Sequence, residues 1–156
     1  MLKKGVDYLG SRNITKMFLD RIMNINDPVA KAITIHLMTE NWIDKIIDAV
    51  CITPGQIKRW NYSSKLLFIY NFKIIKEPLY KNLKLLNKLR NDCAHNLDYN
   101  FDDINIKDYS LYGIKEKLDN TESFEETAYE VEDVDKKLFL IGLATFGWLN
   151  NLMVER

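Results

Sequence analysis

The stretch "PLYKNLKLLNKLRNDCAHNLDYNF", Pro78 to Phe101, decides the fold. At roughly 100° per residue, with Leu79 set at zero, Leu83 falls at about 40°, Leu86 at about 340°, Cys93 at about 320° and Ala94 at about 60°. That is one apolar stripe on an amphipathic helix, opened by Pro78 in its first turn. Lys81, Lys84 and Lys88 share the opposite, solvent side. Arg90 falls at about 20°, in the middle of the stripe, where a charge needs an explanation. After His95 the run "NLDYNFDDINIKD" is rich in Asn and Asp, has no sustained period and reads as a loop.

Working outward, Asp27-Pro28 is a capping residue followed by proline at the first helical position, and a helix then runs without a breaker to about Val50. Pro54-Gly55 reads as a turn. A helix is expected over Tyr62 to about Ile75 and another over Ser11 to Asn24. The pattern allows a short helix over Tyr109 to Leu118, and Ser123 with Glu126 has capping-box spacing for a last long helix ending near Val154. No strand, internal repeat or linker stands out. With 156 residues, 47% of them hydrophobic, three prolines and six glycines, the chain is the size of one well-packed domain. The expectation is an all-α, single-domain bundle of about five helices spanning 1–156.

The N-terminal "MLKKGVDYLGSRN" lacks the apolar run of a signal peptide. The most hydrophobic run, "LFLIGLATFGWL" from Leu138 to Leu149, is well short of the roughly 20 residues that span a bilayer. Cys51 and Cys93 form neither a disulfide framework nor a CxxC pair, which points to a reducing, cytoplasmic setting without a metal. No membrane partner and no cofactor is expected, since there is no Gly-rich phosphate loop, GxSxG elbow or zinc spacing.

The formal net charge is zero, but the charge is unevenly placed. Cys51 to His95 holds nine basic residues against Glu77 and Asp92, and Asn96 to Asp135 holds three lysines against thirteen acids. Two readings stay open: the halves pack together and cancel, or the basic half is a face for an anionic ligand.

The helix of Pro28 to Val50 carries a matching oddity. With Val29 at zero, Ile33, Ile43 and Ile47 form a stripe that also holds His36 at about 340° and Glu40 at about 20°. A buried charge persists only when paired, so Glu40 is expected to meet Arg90, with His36 as a further partner. His36 and Glu40 supply only two protein ligands, too few for a metal.

Arg90, Asn91 and His95 form the candidate catalytic set. Arginine grips phosphate through two donors, and histidine exchanges protons near neutral pH. Together they suit metal-free cleavage of an RNA phosphodiester, the arginine stabilising the anionic phosphorane and Asn91 orienting the histidine or a phosphate oxygen. Lys81, Lys84 and Lys88 are the candidate RNA contacts. On a regular helix, however, His95 lies about 140° from Arg90, so the two converge only if the helix bends or two subunits each supply part of the set. The plainer readings are an Arg90–Glu40 structural pair and a His95 that complements the helix C-terminus.

"LLNKLRNDCAH" resembles the HEPN superfamily, small α-helical domains marked by an arginine, a polar residue directly after it and a histidine a few residues on. "KLRNDCAHNLDYNFDD" is most similar to the mannitol operon repressor branch, with its "IRNxFAH" signature and Phe-Asp stretch. The match covers about twenty residues, with softer support from "HLMTENWIDKII". The resemblance implies a homodimer whose motifs face one another across a cleft. In catalytic members that cleft cuts RNA without metal, as a toxin or in phage defence. The matching positions are Arg90, Asn91 and His95. Where some toxin members carry a tyrosine modified by a partner nucleotidyltransferase, this chain has Leu97, and its nearest tyrosine is Tyr99. The repressor-like branch implies instead a non-catalytic, transcription-associated regulator acting through protein partners. An antitoxin or a regulatory protein is thus the expected protein partner, beside RNA.

Overall fold

The computed structural model describes residues 14–111, 114 and 128–154, which hold six α-helices, two 3-10 turns and no strand. The helices are α1 (Ile14–Ile22), α2 (Pro28–Val50), α3 (Pro54–Ile57), α4 (Tyr62–Asn71), α5 (Glu77–His95) and α6 (Val134–Val154). The all-α architecture is as the periodicity indicates.

The α2 helix starts where its capping residue dictates: extended Asp27 accepts the Ala30 amide through Oδ2 at 2.8 Å, and Pro28 follows. It stops at Cys51 because Pro54 disfavours helical geometry in the residue before it, Thr53. The expected turn at Pro54-Gly55 is instead the one-turn helix α3. Asn61 caps α4 by accepting the Ser64 amide at 2.9 Å. That helix ends four residues before the expected Ile75, because Lys73 adopts a left-handed φ of 56°. The Lys73 amide then bonds to the Tyr70 carbonyl at 2.8 Å and the Ile74 amide to Ile69 at 3.0 Å, the Schellman closure, made here without its usual glycine.

The Asn/Asp-rich segment is more ordered than a plain loop. Asn100 and Asn105 each accept an amide two residues on and open the 3-10 turns Phe101–Asp103 and Ile106–Asp108. Asn82, fully buried in α5, clamps this segment by exchanging two 2.8 Å hydrogen bonds with the Ser110 backbone. The expected helix over Tyr109 to Leu118 and the Ser123–Glu126 box lie mostly or wholly outside the described residues. The last long helix does not run on from that box: residues 131–133 are non-helical and α6 starts afresh at Val134. Asp133 accepts the Lys136 amide at 2.9 Å, so the local carboxylate cap outcompetes continuation.

Helix α2 packs against each of the other five and forms the axis of one hydrophobic core. Ser63 bonds Asn87 and Tyr70 stacks on Tyr80, so α4 and α5 run antiparallel, with the start of α4 beside the last turns of α5. Helix α6 is buried on nearly all sides, consistent with its unbroken apolar run. No helix among the described residues is long and apolar enough to cross a membrane.

Gly142 marks a close approach of α6 to α1, where a Cβ would stand 2.4 Å from Cζ of Phe18. Phe18 is itself fully buried and stacked on Phe146 at 4.9 Å, so its ring has nowhere to retreat. Gly142→Ala is expected to cost about 1–3 kcal/mol, the usual range for overpacking, read as a lower urea midpoint with an unchanged slope.

Candidate functional site

Glu40 does not meet Arg90. Its Oε1 accepts Lys65 Nζ at 3.0 Å, and Asp44, one turn on, accepts the same ammonium at 2.8 Å. The expected pair is therefore replaced by a Lys65 bridge between α4 and α2. The reason is position: Lys65 follows Tyr62 by three residues and shares its inward face with Leu66 and Ile69, which places its amine opposite Glu40 and Asp44. Lys65 is buried, and its two carboxylate partners outweigh desolvation and raise its pKa above the ordinary lysine value. This lysine escaped the sequence reading, yet an ammonium inside the Tyr62–Leu66–Ile69 stripe was a legible signal of the same kind as Arg90.

His36 is buried as expected, but its partner is Asn87, whose Oδ1 lies 2.9 Å from Nε2. Asn87 spends its amide group on Ser63 Oγ at 3.2 Å, which turns Oδ1 toward the imidazole and assigns the ring proton to Nε2. Nδ1 is then a buried acceptor without a partner among the described residues. The Tyr62 ring lies at 4.4 Å between centroids, and the Tyr62 hydroxyl bonds Thr39 Oγ1 at 2.9 Å. Burial lowers the His36 pKa below its ordinary value. The Asn87 hydrogen bond and Glu40 oppose this, while Arg90 and Lys65 act with burial. Burial likewise raises the Tyr62 phenol, which stays protonated.

Arg90 lies at the end of this polar seam. It is half-buried, and Nη1 donates to Asn91 Oδ1 at 3.0 Å; among the described residues it makes no ion pair. Its predicted place in the apolar stripe is right, but cover by the core thins beyond Cys93, where Ala94 and His95 are exposed. Helix α5 remains regular through His95, and the Asn96 amide bonds to Asp92 at 3.0 Å as its cap. Arg90 and His95 therefore occupy different faces of one helix, about 140° apart. The structure brings Arg90 to Asn91, and opens His95 to solvent without joining it to either.

Of the candidate RNA contacts, Lys81 bonds Glu77 at 2.9 Å and Lys88 bonds Asp92 at 2.7 Å, both exposed i,i+4 pairs. Lys84 sits over the Tyr80 ring, 5.5 Å from its centroid. Such exposed pairs are worth little and yield readily to a competing anion. Burial first, and nearby Asp48 or Asp92 next, raise the Cys51 and Cys93 thiols, so neither is an activated nucleophile. Among the described residues no cluster of His, Cys, Asp or Glu could hold a metal ion. A shallow depression of about 530 Å³ near Ile104, Tyr129 and Lys137 includes none of the candidate residues.

Comparison of the chain with protein-family models, with curated proteins and with solved structures finds no match.

Because the His36 pKa is lowered on folding, the unfolded chain binds the extra proton first as pH falls. The stability due to neutral His36 is complete above about pH 6.5 and is lost as pH falls from there through the lower folded pKa. Thermal melts from neutral to mildly acidic pH should show a steeper loss for the wild type than for His36→Gln. Parallel pH profiles would refute this assignment.

Proposed function

We propose that the chain is a metal-independent endoribonuclease of the HEPN type, acting as a homodimer in a toxin–antitoxin or phage-defence setting. The observation that carries this reading is the half-buried Arg90 guanidinium, hydrogen-bonded to a neutral amide and paired with no carboxylate among the described residues. A cation withdrawn from water and left without a counter-ion favours an anionic ligand, and a phosphate matches its two-donor fork. His95, open to solvent on the same helix, supplies the proton acceptor or donor that transesterification at a 2′-hydroxyl requires. Asn91 holds the guanidinium plane and keeps an amide free for a phosphate oxygen.

In this mechanism Arg90 of one protomer acts with His95 of the other. The regular geometry of α5 keeps the two apart within a chain, and a two-fold axis beside its last turns lets each helix complete the other's site. Histidine takes the 2′-hydroxyl proton or returns one to the 5′-oxygen leaving group, while arginine neutralises the charge gathered on the phosphorane.

The separation of Arg90 from His95 also favours a second reading, a non-catalytic regulator resembling the mannitol operon repressor. In that case Arg90 and Asn91 contact a protein partner and His95 has no chemical task.

Purified protein incubated with total RNA in EDTA is expected to cleave it, and His95→Ala to reduce cleavage at least about 100-fold, the low end for loss of a general acid or base. Arg90→Ala should be equally impaired yet melt within about 0.5 kcal/mol of wild type, because Glu40 keeps Lys65 as its partner. Intact RNA with wild-type protein would favour the regulator. A mixture of the two inactive variants should regain part of the activity if the sites are shared between protomers.

A further inference from the structure

The outer side of α4 carries an aromatic row whose middle member, Phe68, packs partly against the core and whose two ends do not. Trp60, just before the helix, is 46% exposed and meets Phe68 edge-on at 5.9 Å; Phe68 in turn packs on Phe72 at 4.7 Å, and Phe72 is 68% exposed. Leu67, which precedes Phe68 in the chain, is 46% exposed. The inward side of the helix is occupied elsewhere, by Tyr62, Lys65, Leu66 and Ile69 against the core. The Trp60 and Phe72 ends of the row therefore face solvent.

The charge around it has one sign. Between Asp48 and Glu77 the chain contains no acid. Of the cations there, Lys58 pairs with Asp48 and Lys65 with Glu40 and Asp44, which leaves Arg59, Lys73 and Lys76, all exposed and in no ion pair among the described residues. Arg59 neighbours Trp60, and Lys73 and Lys76 flank the Phe72 end. Aromatic faces interleaved with unpaired cations are what an unpaired nucleic-acid strand requires: bases stack on rings while phosphates meet ammonium and guanidinium groups. A duplex hides its base faces and gains nothing from such a row.

The row also leads to the candidate site. Helices α4 and α5 are antiparallel, Ser63 bonds Asn87, and Asn87 precedes Arg90 by one turn. Trp60 thus lies at the Arg90 end of the bundle, and Phe72 at the far end, near the Tyr70–Tyr80 stack.

We propose that the Trp60–Phe68–Phe72 face, with Arg59, Lys73 and Lys76, is a platform for single-stranded RNA that delivers one phosphate to Arg90. The ligand class rests on the ribonuclease reading. The platform selects unpaired RNA over duplex with little sequence preference, since every base has a face to stack.

The test uses the full chain and a short fluorescein-labelled oligouridylate with 2′-O-methyl groups, which cannot be cleaved through the 2′-oxygen. Fluorescence anisotropy should show binding that weakens steeply with salt. Trp60→Ala/Phe72→Ala, at exposed positions, should bind at least about tenfold more weakly with an unchanged melting temperature. Arg59→Glu/Lys76→Glu should reduce both affinity and salt dependence. The same oligonucleotide annealed to its complement should bind more weakly than the single strand.

Equal affinity of the aromatic double variant and wild type, equal affinity for duplex, or no binding at all would each overturn the platform. So would self-association of the wild type that the double variant loses, without RNA binding, because the face would then belong to a second copy. Tighter binding of a Glu-rich amphipathic peptide than of the oligonucleotide would assign it to a protein partner. The two readings fail separately. Cleavage in EDTA with an unchanged KM in the double variant removes the platform and keeps the nuclease. Platform-dependent binding of unmodified RNA that is never cut keeps the platform and removes the nuclease.

Discussion

Everything proposed for this molecule turns on which cation holds Glu40. The Lys65 ammonium, buried between Glu40 and Asp44, ties α4 to the central helix through two short charged hydrogen bonds. A buried amine so paired cannot be left half-satisfied without a large penalty. That arrangement also occupies Glu40, the partner the helical pattern assigns to Arg90, and Arg90 has Asn91 as its hydrogen-bond partner. Glu40 thus bonds the lysine of α4, and the Arg90 guanidinium makes no ion pair among the described residues.

The same seam orders the rest of the site. Ser63, Asn87 and His36 form a chain of hydrogen bonds from α4 through α5 to α2, and the unpartnered Nδ1 of His36 keeps that end of the seam uncharged. A neutral imidazole adds no second positive charge beside Arg90. The helix itself stays regular to its last residue, which keeps Arg90 and His95 on separate faces.

Much of this was legible in advance, for reasons tied to particular residues. Asp27-Pro28 placed the start of α2 because capping acts between near neighbours. The leucines of α5 placed its buried face because apolar periodicity reflects a single helix. The end of α4 was misjudged because a lysine stands in the left-handed position where glycine is usual. The start of α6 was misjudged because Asp133, one more acid in an acidic run, serves as a cap. In both places the backbone conformation and hydrogen bonds decide, and residue type alone signals them weakly.

The sequence by itself determined the helical class, the inward faces of α2 and α5, and the oddity of an arginine and a glutamate in apolar stripes, all of them properties of short segments governed by local geometry. Only the tertiary structure decided the partners. Pairing depends on which side chains from different helices arrive within hydrogen-bond distance, and two cations, Lys65 and Arg90, with two carboxylates, Glu40 and Asp44, admit several satisfactory pairings on paper. Packing α4 against both α2 and α5 selects one of them. It also turns the Trp60–Phe68–Phe72 row outward, since Tyr62 and Lys65 already occupy the inward side of that helix.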